Sequence, residues 1–157
     1  MGHYIVGFVA AFDALQSTDP LTASCVVAKL RGGYGLMPFP FDIDELDALP
    51  ASKPAEYGLG LSRGFPIALV KTDYFGGQGD QWACAWKDGA VIVPWSEASV
   101  GIINTALCAI GVHPFGGLDA FDTVGLGEFR NNEDWIEFAR SGSAMPDLSP
   151  SGKGSGS

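Results

Sequence analysis

Apolar residues fall in short runs separated by stretches that carry Gly, Pro, Asp and Ser. Residues 4–11 are apolar on both faces, the pattern of an inner strand. Residues 12–16 read as a short helical turn, broken by Ser17-Thr18-Asp19-Pro20. Residues 24–30 and 34–39 are two β-prone runs around Arg31-Gly32-Gly33, which predicts a hairpin. Pro38 and Pro40 cannot donate to a ladder, so the second strand ends there or lies at an edge. Asp42 to Leu49 reads as a short helix with Ile43, Leu46 and Leu49 as a narrow stripe and Pro50 as its stop. Residues 51–65, rich in Pro, Gly and Ser, read as a long loop.

The stretch from Pro66 to Trp95 organises the rest. The run 66–70 leads into Lys71-Thr72-Asp73-Tyr74-Phe75-Gly76-Gly77-Gln78-Gly79-Asp80-Gln81, and the runs 82–86 and 90–93 leave it. The pattern predicts strand, glycine loop, strand, tight turn, strand. Asp88-Gly89 favours a type I′ turn, so 82–86 and 90–93 pair antiparallel. Alternation sends Trp82, Cys84 and Trp86 to one face, and Ala83 and Ala85 to the other, where they leave room for a helix. Separately, a helix is predicted over residues 100–110, capped by Ser96 or Ser99 and ended by Gly111. Shorter helices are predicted at 118–126 and at 133–140, the latter capped by Asn131 or Asn132. Together these elements predict an α+β fold: a mainly antiparallel sheet of about five or six strands with helices packed on one face. One domain over residues 1–142 is expected, followed by a Gly/Ser-rich flexible tail at 143–157 of the kind left by a linker or an expression tag.

Composition narrows the function classes. The chain has 157 residues, 46% of them hydrophobic, enough for a core without staples. Eighteen acids against nine bases give a net charge of −9, which opposes nucleic-acid binding and favours a basic protein partner or a cationic ligand. The three cysteines are odd in number and form no CxxC pair; Cys84 and Cys108 lie in apolar runs and read as buried. No secretory leader is visible, and no run reaches the roughly 18 apolar residues that span a bilayer. A cytoplasmic, reducing setting is the expectation, with no membrane association.

Little in the chain carries a recognised chemistry. Four close zinc ligands are lacking, and no metal or cofactor is expected. The segment Asp42-x-Asp44 matches the opening of a calcium loop, but Asp47 and Lys53 stand where that loop needs Gly and an acid. A Cys25–His113 dyad has no local support, and His113 reads as a loop residue. Gly76 to Gly79 offers backbone amides to an anion, yet no Lys-Ser/Thr follows, and Asp73 and Asp80 would repel phosphate. Two polar sets remain. Asp42, Asp44, Glu45 and Asp47 form an acidic helix face, either solvated or a partner contact. Asp73, Tyr74, Gln78, Asp80 and Gln81 gather at one end of the sheet. They serve as a plain turn, as a binding site, or as a carboxylate–phenol pair for acid–base work.

The run Thr72-Asp73-Tyr74-Phe75-Gly76-Gly77-x-Gly79-x-Gln81, with Trp86-x-Asp88-Gly89, Phe121-Asp122-x-x-Gly125-Leu126-Gly127 and Glu133-Asp134-Trp135, resembles a pattern in small uncharacterised bacterial α+β proteins. The resemblance covers roughly the second half of the chain and implies no activity. In broad composition the chain is also similar to immunity proteins, which neutralise bacterial toxins. The expectation is a non-catalytic binding protein, with an immunity-type inhibitor as its concrete form. The competing expectation is a small hydrolase or ligand-binding enzyme that uses the loop from Asp73 to Gln81.

Overall fold

The computed structural model describes residues 2–17, 26–38, 53–75, 78–98 and 101–142. Six strands form one antiparallel sheet: β1 (Gly2–Ala11), β2 (Ala28–Lys29), β3 (Tyr34–Pro38), β4 (Ile67–Phe75), β5 (Gln78–Lys87) and β6 (Ala90–Ala98). Their spatial order is β2-β3-β1-β4-β5-β6. The apolar strand β1 lies inside, between β3 and β4, as its two-faced pattern requires. A 3₁₀ turn, Arg31–Gly33, joins β2 to β3, with Gly32 and Gly33 both at positive φ. Asp88 (φ 55°) and Gly89 (φ 76°) make the left-handed pair that a type I′ turn needs, and Lys87 faces Ala90 across it.

Among the described residues the helices are α1 (Phe12–Gln16), α2 (Lys53–Leu61), α3 (Ile102–Ala109), α4 (Ala120–Val124) and α5 (Asn132–Arg140). The fold is α+β, and the sheet is covered on both faces. On one face Ala83 and Ala85 admit α3, whose Ile103, Ala106 and Leu107 join Ile5, Val9, Ala68 and Val70 in a core that α4 and α5 close with Ala120, Val124 and Trp135. On the other face Val6, Phe8, Leu69, Cys84 and Trp86 form a smaller core, capped by Leu15 of α1 and by Leu59 and Leu61 of α2. Sequence pattern placed helices on one face only, because it missed α2. Residues 51–65 read as a loop from their Pro and Gly, whereas Pro54 sits in the first turn, where its missing N–H costs nothing. Gly58 lets the helix lie directly on Trp86.

Two more expectations change. The edge strand β6 runs to Ala98 and takes in Ser96, so Ser96 caps no helix. Two register shifts, one on either side of Ala85, break the ladder with β5. Pro94 lies in the irregular stretch, and both devices suit an open edge. Cys108 is exposed, because it falls on the outer side of α3; Cys84 is buried, and burial pushes its thiol up to about 12. Asn131 caps α5 by accepting from Asp134 N–H at 2.8 Å. The neighbouring Asn132 acts as a piece of strand. Its amide accepts from Val6 N–H and donates to Val6 C=O, both at 2.9 Å, satisfying the β1 backbone beyond the end of β3. Among the described residues no helix is long and apolar enough to cross a membrane.

Candidate functional site

Strands β4 and β5 continue to Phe75 and from Gln78, so their connection shrinks to Gly76 and Gly77, outside the described residues. Most of the expected glycine loop is therefore ladder. Asp73 faces Asp80, Tyr74 faces Gly79, and Thr72 faces Gln81. Gly79 (φ 149°) must be glycine, since a Cβ there would overlap the Asp73 carbonyl.

Strand alternation divides Asp73, Tyr74, Asp80 and Gln81 between the two faces. Tyr74 and Gln81 turn towards α3. Gln81 Nε2 donates to Tyr74 Oη at 2.9 Å, and Gln81 Oε1 accepts from Ile103 N–H at 2.8 Å. The helix has Gly101 at its N-cap with no side-chain bond, so Gln81 supplies a cap from a neighbouring strand. These two residues hold α3 on the sheet. Beside them the buried Thr72 Oγ1 accepts from Ile5 N–H at 3.0 Å.

Asp73 and Asp80 lie on the opposite face, beyond the part covered by α1 and α2. Two cross-strand rows form there. The first is Tyr4, Asp73 and Asp80; the second is Lys71, Trp82 and Glu97. Tyr4 is 42% exposed, Asp73 and Glu97 are exposed, and Lys71, Asp80 and Trp82 are half-buried. Lys71 Nζ stands 4.7 Å from the centroid of the Trp82 ring, a cation–π contact. A hydrogen bond to Asp80 raises the Glu97 carboxyl above its ordinary pKa, desolvation and the Asp80 charge add to this, and Lys71 lowers it. The result is an open strip of sheet bearing three carboxyls, one lysine and two aromatic rings.

The structure thus joins Asp73 with Asp80 and Tyr74 with Gln81, and it separates the pairs by the thickness of the sheet. Gln78 lies in β5 opposite Phe75. Asp42, Asp44, Glu45 and Asp47 lie outside the described residues, as does Cys25. Sequence reasoning missed Tyr4, Lys71, Trp82 and Glu97. Parity along β4 and β5 was the signal for Lys71 and Trp82; Glu97 depends on the irregular β5–β6 register, which no local pattern encodes. Among the described residues no group of three or more His, Cys, Asp or Glu side chains is placed to hold a metal ion.

The fold and this site define an α+β protein with an acidic and aromatic strip on its sheet that no described helix covers. No family model, no curated protein and no solved structure matches the chain.

Proposed function

We propose that the protein is a non-catalytic binding protein whose partner is a basic protein, and that it acts as an immunity-type inhibitor of a toxin. The observation that carries this reading is the strip of Tyr4, Asp73, Asp80, Trp82 and Glu97 on one open sheet face. Tyrosine and tryptophan are the residues that anchor protein interfaces, and carboxylates around them steer a basic partner. Asp73 and Asp80 stand directly opposite each other, an arrangement that costs stability in the free protein and is relieved by a partner's Lys or Arg. The net charge of −9 acts in the same direction over longer range.

The competing hydrolase reading needs the Tyr74 phenol and the two carboxylates at one reacting atom. Tyr74 is on the far side of the sheet, bonded to Gln81, so the acid–base grouping does not assemble.

The test is capture from the native host's lysate with the wild-type chain beside a Trp82→Ala, Asp80→Ala double variant. One stoichiometric basic partner is expected, bound by the wild type, released at high salt, and weakened at least about 100-fold in the variant. Capture of the same proteins by both forms would defeat the assignment of this face.

A further inference from the structure

A concave site lies away from the acidic strip, where the 3₁₀ turn before β3 meets the α3–α4 connection. It is a cleft of about 470 Å³ lined by residues that include Arg31, Tyr34, Val112, His113, Phe115 and Val124. In a chain with twice as many acids as bases, this cleft has an arginine and a histidine in its wall, and no acidic side chain among the described residues that line it. Its volume falls within the range of small-molecule sites.

Contacts within the fold shape the cleft. Arg31 Nη1 donates to the Asp122 carbonyl at 3.2 Å, which fixes the guanidinium beside the cleft. Burial pushes the Tyr34 hydroxyl above its ordinary pKa, and as a phenol it can donate a hydrogen bond. Phe115 N–H donates to Thr123 Oγ1 at 2.9 Å, which pins the loop carrying His113 against α4. Gly111, at φ 109°, brings its backbone within reach of the Tyr34 hydroxyl: a Cβ there would stand 3.3 Å from that oxygen. The rest of the wall is apolar, with Val112 and Val124 buried and Phe115 half-buried.

The geometry points to a binding site for a small organic carboxylate with an apolar body. The carboxylate pairs with the Arg31 guanidinium and accepts from the Tyr34 hydroxyl and the His113 ring N–H, and the apolar body lies on Val112, Phe115 and Val124. A guanidinium is suited to this role because its planar fork matches a carboxylate. A mainly apolar wall with a few polar groups in it is the usual make-up of a specific ligand site.

Benzoate is the probe, with benzamide as its uncharged match, each titrated into isotope-labelled full-length protein and followed by backbone amide shifts. Benzoate is expected to saturate with one site, moving the amides of Gly32, Val112 and His113, and to bind at least about 10-fold more tightly than benzamide. Arg31→Gln is expected to weaken benzoate about 10-fold or more. Tyr34→Phe, which removes one oxygen and keeps the ring, is expected to weaken it about 3-fold to 10-fold. A spectrum dispersed like that of the wild type shows that each variant is folded. Equal binding of benzamide, shifts confined to other surfaces, or no saturation up to about 20 mM would each overturn the assignment.

Discussion

Gln81 shows how one side chain can look functional and be structural. It sits within a polar, glycine-rich stretch, yet both ends of its amide are used internally, on Tyr74 Oη and on Ile103 N–H. Removing it leaves the N-terminus of α3 without a side-chain cap, since Gly101 provides none. Gln81→Ala is expected to lower unfolding free energy by about 1–2 kcal/mol, the cost of a lost cap plus a second hydrogen bond. Tyr74→Phe should cost less, about 0.5–1.5 kcal/mol, because Gln81 can still hold the helix. Urea unfolding of the two single variants and the double variant measures both values, and the double variant should lose less than the sum of the two single losses because they share one bond. If Gln81→Ala unfolded at the wild-type midpoint, the capping role would be wrong. The same stretch shows what was legible. Consecutive strand residues point to opposite faces, so Asp73 beside Tyr74 and Asp80 beside Gln81 already imply a split. Reading 72–81 as a loop hid it, because Gly76, Gly77 and Gly79 masked a ladder that runs almost to the turn.

At the scale of elements, α2 carries the clearest lesson. Its sequence, Lys-Pro-Ala-Glu-Tyr-Gly-Leu-Gly-Leu, scores poorly as a helix, and a local reading counts both glycines as breakers. They have different causes. A Cβ on Gly58 would meet the Trp86 ring at 2.5 Å and Phe8 at 3.0 Å, both buried core residues, whereas a Cβ on Gly60 would meet nothing within 4 Å. Gly58 is therefore a packing requirement set by a tryptophan far along the chain, information that no window of sequence contains. The same substitution should act with opposite signs at the two positions. Gly60→Ala is expected to stabilise by about 0.5–1 kcal/mol through helix propensity. Gly58→Ala is expected to destabilise by about 1–2 kcal/mol, as overpacking outweighs the same propensity gain. Thermal melts of the two variants decide it, and equal shifts would mean that α2 does not lie on Trp86 as described. The helix is also tied down at its end: Ser62 Oγ accepts from Gly89 N–H at 3.1 Å and the Ser62 carbonyl accepts from Asp88 N–H at 2.8 Å, so the legible Asp-Gly turn doubles as an anchor for the illegible helix.

For the molecule as a whole, the antiparallel sheet, the late helices and the acidic character were all visible in the pattern of residues, while the arrangement of charge was not. Net charge is additive along a sequence, but the strip of Asp73, Asp80 and Glu97 exists only through the β4–β5 and β5–β6 registers. That strip links stability to binding with a definite sign. The Glu97 pKa is raised in the folded state, first by its hydrogen bond to Asp80. A carboxyl with a raised folded pKa binds its proton more readily in the folded chain than in the unfolded one. Its ionisation therefore works against the fold above the folded pKa, and the penalty fades as pH falls through the raised value towards the ordinary carboxylate range. Glu97→Gln should thus melt at a higher temperature than the wild type at about pH 7, and the difference should shrink towards zero by about pH 4. A cationic partner seated on the strip offsets the same repulsion, so under the proposed function Glu97→Gln should bind that partner more weakly while being the more stable protein. Melting curves at the two pH values read the first effect, and salt-dependent affinity reads the second. A variant less stable than the wild type at neutral pH would show that Glu97 is held by favourable contacts, and the strip would then lose the electrostatic strain on which its reading as a docking face partly stands.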